Sequence, residues 1–232
     1  MLCSEARASI PKEKMTAVPM AVSIKDTPFF GYDPQQSYKQ RKTVVYIGSL
    51  QRNRKMDFLL RSFKKVLKKE KDARLQLVGG SKNPADEKFL ESEAKRLRID
   101  HAVRITGFLP QNKAWQYVKE ASICVSPIYP APIFNCGSPT KLIEYMAMGK
   151  AVVANDHPEQ CIVISESKAG ICVPYEEAAF AEAILYLLKN QDVAKQMGIR
   201  GRRYIEKKRN YEHTADLVET KLLELSQITK LS

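Results

Sequence analysis

The chain has 232 residues, of which 44% are hydrophobic and 28% are charged, a composition typical of globular proteins and not of disordered or fibrous ones. No apolar run approaches the ~18 residues needed to span a membrane, and the first residues lack a signal-peptide core, so the sequence predicts a cytoplasmic protein. The formal net charge of +12 predicts an anionic partner. The candidates are nucleic acid, an acidic membrane surface and a phosphorylated small molecule.

Two helical runs, 64–69 and 200–209, carry much of the positive charge. Neither run alternates with aromatic residues, which argues against a platform for single-stranded nucleic acid. We therefore predict no nucleic-acid partner and interpret both runs as solvated helix faces. Peripheral contact with the inner face of an acidic membrane is the alternative that these runs leave open.

The cysteines and histidines show no metal-ligand spacing. The five cysteines are scattered without a C-x-x-C pair, and Cys124 and Cys172 fall in apolar runs, where a free thiol packs as a small hydrophobe. An odd number of cysteines without such spacing predicts a reducing compartment. We expect no metal and no cofactor.

The first 42 residues contain four prolines but no complete β-α-β unit. Residues 4–9 are compatible with one or two helical turns, and residues 16–23 with one strand. This region is predicted to be the end of a preceding domain followed by a linker.

From residue 43 onwards, short apolar strands alternate with amphipathic helices. The predicted strands are 43–47, 75–78, 103–105, 122–126, 151–154 and 170–173. The predicted helices are 58–67, 84–97, 115–119, 139–148, 159–165, 176–189, 191–207 and 211–228. A proline-rich loop follows the fourth strand. Repeated units of this kind predict an α/β fold, a Rossmann-like parallel sheet with helices on both faces.

Ligands of such sheets bind beyond the carboxyl ends of the strands. The stretch 138–154 offers the clearest site, because a helix begins just after a Gly-Ser-Pro turn and carries Lys141 in its first turn. The unpaired N–H groups and the dipole of a helix start can bind an anion. Glu144, further along the helix, can accept hydrogen bonds from two adjacent sugar hydroxyls. Together these groups fit a diphosphate-ribose ligand.

Several motifs follow one another in chain order: 48–50 followed by Arg54-Lys55, Gly79-Gly80, VRITGFLP at 103–110, SPTKLIEYMAMGKAVVA at 138–154 and AGICVP at 169–174. The order of these motifs resembles the carboxy-terminal domain of retaining glycosyltransferases of family 4, which have the two-domain GT-B architecture. The similarity covers about residues 43–225, and residues 4–22 resemble the final helix and strand of the family's amino-terminal domain. It implies a remnant of that domain plus a linker over 1–42, a nucleotide-sugar-binding domain over 43–232, and the absence of most of the amino-terminal domain.

The resemblance assigns roles to individual residues. Lys55 matches the basic residue that neutralises the donor diphosphate. Ser49 stands where the family often has an arginine, and Arg52 and Arg54 are nearby substitutes. Glu144 matches the carboxylate that binds the ribose hydroxyls. The loop at 107–109 would lie close to the base.

The family's first glutamate, which usually lies near the transferred sugar, would fall at Cys136. The general catalytic histidine of this architecture lies in the amino-terminal domain, so no catalytic residue is assigned here and no metal is expected. The predicted donor-binding set is Gly48, Ser49, Arg52, Arg54, Lys55, Gly79, Gly107, Phe108, Ser138, Pro139, Thr140, Lys141, Leu142 and Glu144.

Two hypotheses follow. The leading one is a glycosyltransferase, or its donor-binding part, that moves a sugar from a UDP- or GDP-sugar to an acceptor with retention. The alternative is a non-catalytic or truncated sugar-nucleotide-binding module that needs a partner chain to supply the amino-terminal domain. A dinucleotide-dependent oxidoreductase is disfavoured because no G-x-G-x-x-G follows a strand.

Under both of the leading hypotheses the helix at 211–228 has leucines to bury, and without a partner we expect it to self-associate.

Overall fold

The computed structural model describes residues 15–31 and 42–229, the last three by their backbone alone. The helix predicted at 4–9 and the linker residues 32–41 lie outside these residues. Six strands form one sheet in the order β3-β2-β1-β4-β5-β6, and every neighbouring pair is parallel. The strands are β1 Thr43–Ile47, β2 Arg74–Val78, β3 Val103–Ile105, β4 Ile123–Ser126, β5 Val152–Asn155 and β6 Gly170–Val173.

The strand order reverses its direction between β1 and β4. Val44 pairs with Leu75 of β2 on one side and with Ile123 of β4 on the other. Later strands therefore add outwards from both sides of β1, and loops diverge at the β1–β4 junction to leave a crevice. This order confirms the predicted α/β, Rossmann-like sheet.

Nine α-helices are assigned in the described part of the chain, and two 3₁₀ turns cover Arg52–Arg54 and Asp100–Ala102. The helices are α1 Asp57–Lys69, α2 Pro84–Arg96, α3 Gln111–Glu120, α4 Pro132–Asn135, α5 Thr140–Ala147, α6 Pro158–Ser167, α7 Glu177–Lys189, α8 Gln191–Lys208 and α9 Tyr211–Thr229. The predicted helices are confirmed, with shifts of a few residues at their ends. The sequence did not predict α4, because its prolines indicated a loop, whereas Pro132 occupies the first helical turn, where a missing N–H costs nothing.

The helices cover both faces of the sheet, as predicted. Val44 belongs to a buried cluster that includes Phe63 of α1 and Ile184 of α7. Its neighbour Val45 faces the opposite side and joins a second cluster with Tyr145 of α5. Because both faces of each central strand are buried, the strands need continuous apolar runs, which is the pattern in the sequence.

The strand predicted at 16–23 is wrong. Only Val22 forms a bridge, with Asn210, and its N–H donates to the Arg209 carbonyl at 3.0 Å while the Tyr211 N–H donates to the Val22 carbonyl at 3.2 Å. Through these bonds Val22 lies against the α8–α9 junction. In the described part of the chain it has no strand to pair with there.

Both basic runs are partly matched by carboxylates of neighbouring helices. Lys69 of α1 lies 2.6 Å from Glu182 of α7, and Arg209 lies 2.9 Å from Glu159 of α6. The described helices include none that combines the length and the apolar character needed to cross a membrane.

The structure corrects the interpretation of Cys172. Cys172 in β6 and Cys161 in α6 form a disulfide, with their Cα atoms 5.8 Å apart. The two residues are only 11 apart in sequence, and α6 folds back onto β6 so that they meet. Cys124 is buried with no disulfide, and burial raises the pKa of its thiol to about 12. Its prediction as a small packed hydrophobe is confirmed.

Candidate functional site

The start of α5 lies directly on the carboxyl end of β1. Lys141 Nζ donates a hydrogen bond to the Tyr46 hydroxyl at 3.2 Å and lies 4.6 Å from the centre of that ring. A Cβ placed on Gly48 would lie 3.4 Å from Lys141 Cε, so the lysine side chain passes over the end of the strand. The structure thus brings the predicted residues Lys141 and Gly48 together.

A second contact fixes α5 to the same strand end. The Tyr145 hydroxyl accepts a hydrogen bond from the Ile47 N–H at 2.6 Å, and burial of this phenol raises its pKa well above the usual range. Sequence reasoning missed Tyr46 and Tyr145. The available signal was a tyrosine within an otherwise apolar buried segment, since such a residue brings a hydroxyl that must find a partner.

The helix start is open to an anion. Pro139 precedes α5, and no side chain caps the first turn. The Leu142 N–H donates to the Pro139 carbonyl, whereas no described group accepts from the N–H of Thr140 or of Lys141. The hydroxyl of Ser138, just before the helix, is buried and has no hydrogen-bond partner among the described residues. These donors are adjacent in sequence at a helix start that also carries a lysine, and such a helix start can bind phosphate.

Glu144 lies one turn beyond Lys141 and is half-buried. Burial raises the pKa of its carboxyl group, and the nearby Lys141 ammonium partly opposes this shift. Within the described residues, no group donates a hydrogen bond to this carboxylate. A desolvated carboxylate with vacant acceptor positions is suited to accept hydrogen bonds from ligand hydroxyls.

The loop between β1 and α1 supplies exposed cations. Lys55 has a left-handed backbone conformation, with φ 53°, and its N–H donates to the Arg52 carbonyl at the end of the 3₁₀ turn. Such a conformation is costly for a residue other than glycine and is held here by the turn. Ser49 acts within the loop, because its Oγ accepts from the Gln51 N–H at 3.4 Å. Its side chain is therefore used in the turn.

Each of three loop cations lies over an aromatic ring from another element. These contacts join the loop to α2 on one side and to the β4–α5 segment on the other. The distances to the ring centres are 3.7 Å for Arg52 over Phe89, 4.8 Å for Arg54 over Phe134 and 6.0 Å for Lys55 over Tyr129.

The ends of β1, β2 and β3 meet through glycines. A Cβ on Gly79 would lie 2.1 Å from the Gly48 carbonyl oxygen, so no other residue fits at position 79. Gly79 also forms an antiparallel bridge with Gly107, and Phe108 beyond it is 67% exposed. The predicted residues at 107 and 108 thus lie at the β3 edge of the site.

Not every residue of the predicted set reaches the site. The Leu142 side chain is fully buried in the core below α5, and its N–H is already bonded. Cys136 lies exposed at the end of α4. Of the described residues, no three His, Cys, Asp or Glu side chains come together in a way that could hold a metal ion.

Polar residues at the end of β5 support the loop that leads into α5. The buried Asn155 side chain accepts from the Ile128 N–H at 2.7 Å and donates to the Ile128 carbonyl at 3.0 Å. His157 is 2% exposed, and its Nε2 lies 3.0 Å from the Phe134 carbonyl oxygen. Gln160 accepts from Ser126 Oγ at 2.5 Å. No pattern in the sequence around His157 reveals these contacts.

Comparison with known proteins gives the chain its family. A family model described as "Glycosyl transferases group 1" matches residues 41–190, which is more than half of the chain. An uncharacterized glycosyltransferase of Haemophilus influenzae is 27% identical over 165 residues, covering 70% of this chain and 44% of the relative. A phosphatidyl-myo-inositol mannosyltransferase of Mycobacterium leprae is 32% identical over 154 residues, covering 64% of this chain and 38% of that relative.

Solved structures show the same fold. The Anabaena protein HepE, in complex with UDP and glucose, superposes with a TM-score of 0.75 at 13% identity, covering 96% of this chain and 60% of HepE. The chain spans 44% and 38% of the length of the two sequence relatives. The sheet order, the motifs and the family match agree, and the chain belongs to the group 1 glycosyl transferases.

Proposed function

We propose that this chain binds a nucleoside diphosphate sugar and forms the donor half of a retaining glycosyl transfer. The observation that carries the proposal is the start of α5, where unpaired N–H groups and Lys141 adjoin the half-buried Glu144 one turn further on. The N–H groups and Lys141 suit a diphosphate, and the Glu144 carboxylate suits the two hydroxyls of a ribose.

The charges also suit the chemistry. In the proposed reaction the bond between the sugar's anomeric carbon and the diphosphate oxygen breaks, a bond to an acceptor oxygen forms, and the proton of the acceptor hydroxyl passes to the departing diphosphate. Negative charge grows on the departing diphosphate. Lys55, Lys141 and the N–H groups of α5 are preorganised to stabilise that charge, as such donors do in other transfer reactions. Lys55 is exposed, so its ammonium group is open to a ligand.

Titration calorimetry tests the binding step directly. We expect UDP or GDP, and the matching sugar nucleotide, to bind with a dissociation constant below about 1 mM, the affinity of a modest complex. UDP is the first ligand to use, because the similar fold of HepE was solved with UDP. Absence of binding to every nucleotide at millimolar concentration would overturn the proposal.

A second candidate function is a binding module that needs a partner chain for transfer. Cys136 favours it, since an exposed thiol stands where the resemblance places a carboxylate. We expect the chain alone to bind sugar nucleotide but to show no transfer of radiolabelled sugar. Transfer by the isolated chain would contradict this second candidate and favour a complete enzyme.

The apolar surface of α9 leads to a prediction about assembly. Leu222 and Leu223 are 61% and 57% exposed. Patches of this kind mark contacts with another protein surface, so we expect the isolated chain to self-associate. The double substitution Leu222→Glu and Leu223→Glu should give a monomer by light scattering, whereas Ile162→Glu, at a 55% exposed position on α6, should leave the assembly unchanged. A monodisperse wild-type monomer would contradict the prediction.

A further inference from the structure

Phe134 of α4 contacts two separate parts of the site. Its ring lies under the guanidinium group of Arg54, 4.8 Å from Cζ, and its carbonyl oxygen lies 3.0 Å from both His157 Nε2 and the Gly137 N–H. We propose that Phe134 is a positioning residue that couples the cation loop after β1 to the segment that leads into α5. The inference rests on the proposed function, since it concerns how the donor site keeps its shape.

His157 provides the hydrogen-bonded anchor for the Phe134 carbonyl. A carbonyl oxygen can only accept, so the proton of the imidazole must reside on Nε2, which donates to Phe134. The His157 N–H donates to the Asn155 carbonyl at 2.7 Å, and its own carbonyl accepts from Cys161 in the first turns of α6. The backbone of His157 is thus held between β5 and α6, and its side chain is buried. Its Nδ1 is buried and has no partner among the described residues, so the Phe134 carbonyl is the only described contact of the ring nitrogens.

Core packing does not fix α4. None of its four residues is buried, and Ile133 is 78% exposed. A single exposed turn has little stability of its own. Contacts that hold its position include the hydrogen bonds that Asn155 makes to Ile128 and those of Phe134.

The consequence is a link between the two anion-binding parts of the site. Arg54 belongs to the loop proposed to face the diphosphate, and Gly137 is the last residue before Ser138 and the start of α5. When Arg54 lies on Phe134, the cation and the helix start are held at one relative position. Loss of the ring should loosen both of them together.

A double-mutant cycle on ligand affinity tests this coupling, with UDP-glucose as the ligand and calorimetry as the measurement. Phe134→Leu is expected to raise the dissociation constant about fivefold, the range of a cation–π contact, and Phe134→Tyr, which keeps the ring, to stay within about twofold of wild type. In the Arg54→Met background, Phe134→Leu should change the constant by less than about twofold, because the pair is already broken.

Three further variants separate positioning from simple stability. His157→Leu should weaken binding about as much as Phe134→Leu, whereas His157→Gln, which can still present an N–H to the carbonyl, should stay within about twofold of wild type. Phe89→Leu is the matched control, since Phe89 lies under Arg52 on the α2 side. Its effect should be additive with that of Arg54→Met.

The possible results of these binding measurements distinguish failure of the proposed function from failure of the positioning role. If wild type binds no nucleotide, the proposed function fails, and this inference fails with it. If wild type binds and Phe134→Leu has no effect, or the same effect in both backgrounds, only the positioning role is overturned. If Phe134 served only the fold, Phe134→Leu would lower the melting temperature, and its effect on ligand affinity would not be coupled to that of Arg54→Met.

Discussion

Replacement of Glu144 by glutamine is expected to weaken UDP-glucose binding about tenfold and, at the same time, to stabilise the protein. Binding weakens because a charge-assisted hydrogen bond to a hydroxyl becomes a neutral one, and Glu144→Ala, which removes the acceptor, should cost about a hundredfold. Stability rises because burial raises the pKa of this carboxyl above its ordinary 4.5, which means that its ionised form is disfavoured in the folded state. Calorimetry and thermal unfolding measure the two effects.

The raised pKa of Glu144 also determines how the effect of Glu144→Gln on stability depends on pH. The folded protein holds the Glu144 proton more tightly than the unfolded chain does. In the wild type, protonation of Glu144 therefore stabilises the fold below pH 4.5, and this contribution is lost as the pH rises through the raised pKa. Glutamine mimics the protonated form. The higher melting temperature of Glu144→Gln should therefore be visible at pH 7 and should vanish near pH 4, if the fold survives there.

Glu182→Gln is the control for this experiment, because Glu182 is an exposed carboxylate on α7. It should change neither the affinity nor the pH dependence by a measurable amount. An unchanged affinity in Glu144→Gln and Glu144→Ala would remove the ribose-binding role from Glu144.

The second large effect is expected from Gly79→Ala. The added Cβ would lie 2.1 Å from the Gly48 carbonyl oxygen, and the φ of 139° is itself unfavourable for alanine. The two strand ends must separate, which we expect to lower the free energy of unfolding by at least about 3 kcal/mol. Urea denaturation measures this, and the displacement of Gly48 from Lys141 should abolish nucleotide binding as well.

Gly107→Ala provides the matched control. Gly107 also has a positive φ, of 69°, but the nearest atom to an added Cβ is 3.9 Å away. Only backbone strain remains, at about 1–2 kcal/mol. Equal losses in the two variants would show that conformation, and not the contact with Gly48, makes glycine necessary at position 79.

The sequence predicted the sheet well because buried parallel strands need apolar residues on both faces. The run 43–47, closed by Gly48, shows this pattern, and the structure confirms a strand there. The strand predicted at 16–23 does not form, because β-strand propensity alone cannot make a hydrogen-bonded ladder without a neighbouring strand. The disulfide between Cys161 and Cys172 was also missed, since it depends on how α6 packs on β6.

The site was predictable where it follows from helix chemistry and unpredictable where it follows from packing. Lys141 and Glu144, three residues apart, lie one above the other on one face of α5. A motif match also named Leu142, but the helical period turns that side chain into the core. The contacts of Phe134 depend on elements distant in sequence, and no short pattern indicates them.

The central place of β1 also has a consequence for how the protein is made. A nascent chain that ends after β3 already contains three strands that pair with one another, β3-β2-β1. It holds the cations at 52–55 but none of α5. Anion-binding capacity of the kind proposed should therefore appear only once β4 has docked on the other side of β1 and residue 147 has left the ribosome. Ligand capture by arrested chains would then report the docking of β4, before β5 and β6 are added.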